Sequence, residues 1–380
     1  MSEWNVCSID ELGSVNRGKS KHRPRNDVIL FGGLYPFIQT SDVKNANLYI
    51  SEYDTTYSEI GLAQSKLWKK GTLCITIAAN IAESAILGID ACFPDSVVGF
   101  MPYEGKADLK FVKYMLDEFK VYMQQISKGT TQDNLSLEKL RRIKFYVPSY
   151  ETQQKIAQIL SRYDEAIENN NKRIKLLEQM TQNLYKEWFV RFRFPGYENC
   201  EFENGIPVGW KVEKLGNVAN ISTGKCNRED AEDDGTYPLF DRSQEIKLSN
   251  DWIKDCEAII VPGEGTSFIP RYFVGKFNLH QRCYCVEPKT DKTGKFLFYT
   301  LMLNRRYFLS VATGATVPSL RYNNFAKMKF VMPELDVCQK FDDYVTKYFL
   351  EIDNLKASNE NLAKQRDLLL PRLMSGKLEV

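Results

Sequence analysis

Lys155-Ile156-Ala157-Gln158-Ile159-Leu160-Ser161-Arg162-Tyr163-Asp164-Glu165-Ala166-Ile167 opens a stretch in which apolar residues recur at alternating steps of four and three. The series runs Ile156, Leu160, Tyr163, Ile167, Asn170, Ile174, Leu177, Thr181, Leu184 and Trp188, eight of the ten being apolar. Such steps mark the seam of a paired helix, because a 3.5-residue repeat keeps one narrow stripe facing a partner. Asn170 interrupts the stripe, and a seam Asn commonly fixes register at some cost in stability. Pro195-Gly196 stops the helix.

The partner is in the same chain. Phe341, Val345, Tyr348, Ile352, Leu355, Asn359, Leu362, Arg366, Leu369 and Leu373 repeat the spacing, again with eight apolar residues in ten. Pro371 is expected to end this second helix and leave Leu373 beyond it. Outward from the stripes the repeat continues at an offset of 185. Lys144-Phe145-Tyr146-Val147-Pro148 falls on Lys329-Phe330-Val331-Met332-Pro333, Gly129-Thr130-Thr131 on Gly314-Ala315-Thr316, and Leu135 on Leu320. Tyr114 falls on Tyr299, and Gln154-Lys155 on Gln339-Lys340. Nearer the start the offset drifts, so that Gly33-x-Tyr35-Pro36 meets Gly235-x-Tyr237-Pro238. A period near half the chain is too long for a solenoid and makes each copy a domain with a helical appendage.

The predicted organisation is therefore α+β: a globular domain over 1–148, a helix over 149–192, a second globular domain over 193–333, and a helix with tail over 334–380. Runs such as Leu73-Cys74-Ile75-Thr76-Ile77 and Ala258-Ile259-Ile260-Val261 read as strands. Leu109 to Gln125 and Phe296 to Val311 read as helices.

The 380 residues are 43% hydrophobic and 26% charged, which is ordinary globular composition. No uncharged apolar run reaches membrane-spanning length. The polar start Met1-Ser2-Glu3-Trp4 is unlike a signal peptide, and nine scattered cysteines suit a reducing compartment, so the cytoplasm is expected.

Catalytic motifs are scarce. There is no Gly-rich phosphate loop and no dinucleotide fingerprint, and His22 and His280 are the only histidines. His280-x-x-Cys283-x-Cys285 lacks a fourth ligand and alternates like a strand, so no metal site is assigned. Asp95, Glu104 and Lys106 resemble the acid–acid–lysine set of a metal-dependent nuclease. The second copy has no matching set at His280-Gln281-Arg282 to Pro288-Lys289, which argues against that chemistry. A coiled-coil scaffold without a DNA role is a third reading.

Net charge is only +2, so a polyanion partner has to be argued from local patches. Arg17, Lys19, Lys21, Arg23 and Arg25 place five positive charges in nine residues with no acid among them. The matching loop of copy two opens with Lys225 and Arg228 and then turns acidic through Glu229, Asp230, Glu232, Asp233 and Asp234. Lys128, Arg242, Arg271 and Arg321 complete the candidate DNA contacts. Arg suits guanine and Asn or Gln suits adenine, each by two hydrogen bonds.

The ordered set of motifs resembles the specificity (S) subunit of type I restriction–modification systems. It comprises Gly129-Thr130-Thr131-x-x-x-Leu135 to Phe145-x-x-Pro148, then Gln153-Gln154-Lys155-Ile156-Ala157-x-Ile159-Leu160. Gly314-Ala315-Thr316-x-x-x-Leu320 to Pro333, Gly205-Ile206-Pro207-x-Gly209-Trp210 and Leu369-Leu370-Pro371-x-Leu373-x-Ser375-Gly376 follow. One departure is Val337-Cys338-Gln339 in place of the paired glutamines. The resemblance implies two target-recognition domains related by pseudo-two-fold symmetry, each reading one half of a bipartite double-stranded DNA target. It implies that the antiparallel helices set the spacer and carry two modification subunits. Those partners use S-adenosylmethionine to methylate adenine, and restriction subunits add ATP- and Mg-dependent translocation and cleavage. The chain itself is then a non-catalytic subunit that holds no cofactor. The first seam covers 33 residues from Ile156 to Trp188. At roughly 1.5 Å per residue that is about 50 Å, longer than one duplex turn of about 34–36 Å.

Overall fold

A computed structural model describes residues 4–128 and 134–380. Gly129-Thr130-Thr131 and the first three residues lie outside the described residues. The chain divides into two compact units, one of residues 1–173 with 354–380 and one of residues 174–353. Each unit thus holds a globular α+β body and part of both long helices.

In the first unit a five-stranded sheet has the order Gly13–Arg17, Val97–Pro102, Leu73–Thr76, Ser84–Leu87, Tyr49–Ile50. The expected Leu73 strand is fully buried, because both of its faces are covered. Leu73 and Ile75 point into the core that contains Phe111, Tyr114 and Leu160, while Cys74 points into another with Trp68 and Phe93. This is the alternation of a pleated strand with no solvent face. A four-stranded sheet, ordered Thr55–Tyr57, Phe31–Phe37, Ala91–Cys92, Leu67–Trp68, adjoins it.

The second unit has a six-stranded sheet ordered Ala219–Thr223, Cys283–Pro288, Lys254–Pro262, Arg271–Leu279, Tyr237–Phe240, Lys247–Ser249. Ile259, Val261 and Val286 enter the core shared with Phe296 and Phe341, and Ala258, Ile260 and Cys285 enter a second. The repeat appears as matching local bonds. The Leu135 N–H donates to the Ile77 carbonyl at 2.9 Å, and the Leu320 N–H donates to the Gly263 carbonyl at 2.7 Å. In each unit the entry strand pairs antiparallel with the strand that leads to the long helix: Asn5–Cys7 with Phe145–Val147, and Lys211–Lys214 with Lys329–Met332. The helices expected over 109–125 and 296–311 are each broken once, at Phe119 and at Asn304.

The long helices run Tyr150–Tyr185 and Leu335–Met374. They pair antiparallel within each unit. In the first unit the Asn170 amide donates to Asn359 at 2.9 Å, Arg366 bonds Asp164, and Ile156 and Leu160 share a core with Leu373. In the second unit Trp188 packs edge-on against Phe341 at 5.8 Å. Ile156, Leu160, Ile167, Ile174 and Trp188 are buried, as are Phe341, Val345, Ile352, Leu355 and Leu373. Tyr163, Leu177, Leu184, Tyr348, Leu362 and Leu369 are half-buried. The stripe read from the sequence is therefore the packed seam. A π-helical turn at Lys186–Val190 ends the first helix and lets adjacent Trp188 and Phe189 both enter the core.

Pro371 does not end the second helix. It lies inside it, and the chain stays helical to Met374. Burial of Leu373 and Met374 offsets the amide bond that proline cannot make. The stop comes at Gly376, at φ +70, whose N–H bonds the Leu373 carbonyl at 3.2 Å.

Candidate nucleic-acid interface

In the first unit the basic loop leaves the Gly13–Arg17 strand through Gly18. Only glycine fits there, since a Cβ would lie 2.3 Å from the Pro94 carbonyl oxygen. The loop is then fastened to its neighbours. Gln64 Oε1 accepts from the N–H groups of Lys21 at 2.6 Å and His22 at 3.1 Å, and the Ser65 hydroxyl donates to the Lys19 carbonyl at 2.8 Å. His22 Nε2 meets the Asp27 carboxylate at 2.9 Å. That bond, with the Ile29 N–H, holds the Asp27 carboxyl below the usual carboxylate range.

The five basic side chains of this loop have different fates. Arg23 folds back on the Ser20 and His22 carbonyls, each at 2.8 Å. Arg25 pairs with Asp95 at 2.8 Å. Arg17, Lys19 and Lys21 are exposed, and no carboxylate among the described residues lies within ion-pair distance of them. Lys128 is exposed too, at the end of the Lys120–Ser127 helix.

A cleft of about 490 Å³ opens beside this loop. Arg25, Asn26, Gln39 and Thr55 line it together with Phe31 and Phe37. Its aromatic floor is rigid, because Phe37 stacks on buried Tyr57 with centroids 4.0 Å apart. Asn26 carries the amide donor–acceptor pair that matches adenine, whereas the Gln39 amide donates to the Thr55 hydroxyl at 3.2 Å. The sequence reading missed both, since neither lies in a charge run or a repeat.

In the second unit Gly224 makes the equivalent departure, and a Cβ there would lie 1.7 Å from the Leu279 carbonyl oxygen. The acidic loop follows. Arg228 and Lys247 approach buried Asp241 at 3.8 and 3.9 Å. Burial opposes ionisation of Asp241, but the Ser243 hydroxyl and N–H with the two cations outweigh it and hold this carboxyl below its ordinary value. Arg271 is half-buried rather than presented outward. It donates to the Ser243 and Asp241 carbonyls at 2.9 and 2.6 Å and lies over the Phe240 ring, so it braces this turn. Arg242 and Arg282 converge on Glu264 at 2.9 and 3.1 Å. Arg321 lines the same pocket as Glu264 and Arg282. Lys225 is exposed.

His280 is buried, and its Nδ1 accepts the Arg282 N–H at 2.9 Å. Burial first, then nearby Arg242, push its pKa below the ordinary histidine value. Cys283 and Cys285 occupy the expected strand, and burial pushes both thiols up to about 12.

The nuclease alternative fails on geometry. Asp95 and Glu104 stand beyond opposite ends of the six-residue Val97–Pro102 strand, which rises about 3.3 Å per residue. Asp95 is held by Arg25, and the Lys106 ammonium lies over the Tyr103 ring at 5.7 Å. The acids and the lysine do not converge on one point. Among the described residues no helix is long and apolar enough to cross a membrane.

Comparison with known proteins places this geometry. The family described as the Type I restriction modification DNA specificity domain matches residues 1–179 and 207–364. The MjaIX specificity subunit of Methanocaldococcus jannaschii is 25% identical over 419 aligned residues, covering 100% of this chain and 94% of that one. The EcoDI specificity subunit of Escherichia coli is 30% identical over 177 residues, 46% of this chain and 39% of that one. The crystal structure of the type I S subunit from M. genitalium has the same fold, with a TM-score of 0.58 at 17% identity, covering 98% of this chain and 96% of that one. Two copies of one domain, each followed by a long helix and each opening a polar surface at an equivalent glycine, are thus accounted for together: the chain belongs to the type I restriction–modification DNA specificity family.

Proposed function

We propose that each unit reads one half of a bipartite double-stranded DNA target and that the paired helices set the spacer between the halves. The observation that carries this is the duplication itself: the two bodies share strands, bonds and helix seams but differ at the loops that leave Gly18 and Gly224. A shared frame with divergent loops is what two half-sites of different sequence require, since phosphate contacts position and base contacts specify. In this reading Arg17, Lys19, Lys21 and Lys128 of the first unit, and Lys225, Arg228, Arg242 and Arg321 of the second, face DNA. Arg23, Arg25 and Arg271 shape the surfaces from which the others project. Two modification subunits dock on the chain and supply S-adenosylmethionine chemistry. Restriction subunits, where present, supply ATP- and Mg-dependent cleavage. The chain contributes no cofactor, and the assembly works in the cytoplasm.

The test is methylome sequencing of cells that express the chain with its modification subunits. A methylated motif in two parts is expected. Replacing residues 1–148 by those of a relative should change one part and keep the other. Alteration of both parts would overturn the assignment of one half-site to each unit.

A further inference from the structure

The pocket around Glu264 is built from pieces that the sequence keeps far apart. Gly263, Glu264, Gln281, Arg282, Ser319 and Arg321 are among its lining residues, and its volume is about 200 Å³. Glu264 sits largely buried between two guanidinium groups that keep about half their surface in solvent. A carboxylate in that position stiffens both arginines and leaves their outer N–H donors open. With Arg321 the site carries three positive charges against one negative. Gln281 is fixed by donating to Asn227 at 2.7 Å.

One wall is the loop that contains Gly314-Ala315-Thr316. The Gly265 N–H donates to the Pro318 carbonyl at 3.0 Å, and the Leu320 N–H donates to Gly263 at 2.7 Å, so the loop is tied to the Glu264 turn. Thr313 and Ser319 close its neck through reciprocal bonds of 2.9 and 2.8 Å. Between them Gly314, Ala315 and Thr316 are exposed, and their N–H groups have no partner among the described residues. Gly314 sits at φ +123, where a side chain would be strained. Ser319, Leu320 and Arg321 are the part of this loop that lines the pocket, so its anion-binding donors are the guanidinium groups of Arg282 and Arg321.

Two properties of the pocket fix what it takes. The first is shape. Phosphates stand out from a duplex, whereas base edges lie at the floor of a groove, so a recessed pocket meets a phosphate and not a base pair. Its one aromatic wall, Tyr284, is buried and packed on Phe325 at 4.4 Å, so no ring face is free to stack an extruded base. The second is charge. Three guanidinium groups against one carboxylate leave a net positive site, which suits a phosphate better than a neutral base edge.

We propose that the Glu264 pocket is a phosphate clamp, in which Arg282 and Arg321 hold one DNA backbone phosphate and Glu264 is the positioning residue for Arg242 and Arg282. This rests on the DNA-recognition reading above and gives one contact of it an address. The experiment uses the full chain assembled with its modification subunits and a duplex carrying the methylated motif, with neutral methylphosphonate placed at one backbone position at a time. The native assembly should lose about tenfold in affinity at one position flanking the second half-site, the worth of one charge-assisted pair. Arg282→Ala with Arg321→Ala should show the same loss on unmodified DNA and become indifferent to that position. The salt slope should fall by about 0.9, the value of one phosphate contact, with the methylated motif unchanged. Arg321→Glu, at an exposed position where folding is not at stake, should weaken binding further.

Relaxed sequence preference in the second half-site would make the arginines base readers and overturn the clamp. Unchanged affinity in both variants would also overturn it. Loss of all DNA binding in the native assembly would instead sink the recognition reading itself.

Discussion

Arg366 on one long helix bonds the carboxylate of Asp164 on the other, and Asp164 has no exposed surface. Tyr114 donates its hydroxyl to the same carboxylate, and Arg366 also reaches Asn47 at 3.3 Å. In the second unit the aligned Tyr299 bonds Thr181 of the first helix instead, so that unit makes the same joint without a charge. A buried pair of this kind costs desolvation, and its main worth is to reject wrong pairings.

Removing one member strands the other. Arg366→Ala should destabilise the chain by about 3–5 kcal/mol, because an uncompensated carboxylate remains buried. Asp164→Leu combined with Arg366→Leu should recover most of that loss. Denaturant unfolding of Asp164→Leu, Arg366→Leu and the double variant measures the coupling directly.

Salt dependence should divide the basic loop. Arg17→Ala, Lys19→Ala and Lys21→Ala should each lower the slope of log affinity against log salt by about 0.9, since each releases one phosphate contact. Arg25→Ala should change the slope little, because Arg25 is spent on Asp95. Equal effects from all four would show that the ion pair opens when DNA binds.

The cleft yields a prediction about bases. Asn26→Ala should relax one adenine position of the first half-site by about 1–3 kcal/mol of discrimination while the second half-site stays intact. Sequencing of the methylated positions would show the relaxation as a degenerate base.

His280 sets a pH dependence. Its pKa is depressed by burial and by Arg242, with Asp241, Glu264 and Arg282 also facing it. A base with a lowered folded pKa binds fewer protons folded than unfolded. Its stabilising contribution is complete above the ordinary value of about 6.5 and is lost as pH falls below that. His280→Gln should therefore flatten the fall in melting temperature between about pH 7 and pH 5. An identical fall in the variant would mean that the carboxylates alone control it.

The pairing also constrains any change in spacer length. Residue numbers rise along one helix as they fall along the other, from Asn170–Asn359 in one unit to Trp188–Phe341 in the other. A heptad placed after Arg173 must be matched by one placed before Asn354. The double insertion should lengthen the unread spacer by about 10 Å, roughly three base pairs, and keep both half-sites. A single insertion should cost stability, which melting curves would report.

The seams were legible because periodicity alone identifies them, and the repeat identified the matching strands. The buried polar joint was not. Arg366 looked like a break in the stripe, and Asp164 lies off the stripe and 202 residues away. Likewise Arg25 reads as a free cation until its carboxylate, 70 residues on, is seen beside it. Glu264 is invisible as a site because its two arginines and its loop come from three other segments. Pro371 misled for the opposite reason: a local rule was overridden by the burial of Leu373 and Met374.

The split of the chain into units has a consequence for the order of assembly. Residues 174–353 form one unit as a continuous segment, whereas residues 1–173 are completed only by 354–380. Leu373 and Met374 sit in the same core as Ile9, Phe111, Ile156 and Leu160. On the ribosome the continuous unit emerges whole and is able to close at once. The earlier segment meanwhile keeps an open apolar face until residues 354–380, made after the second unit, reach it. Of the two units, the one that begins to emerge earlier is the one that closes later.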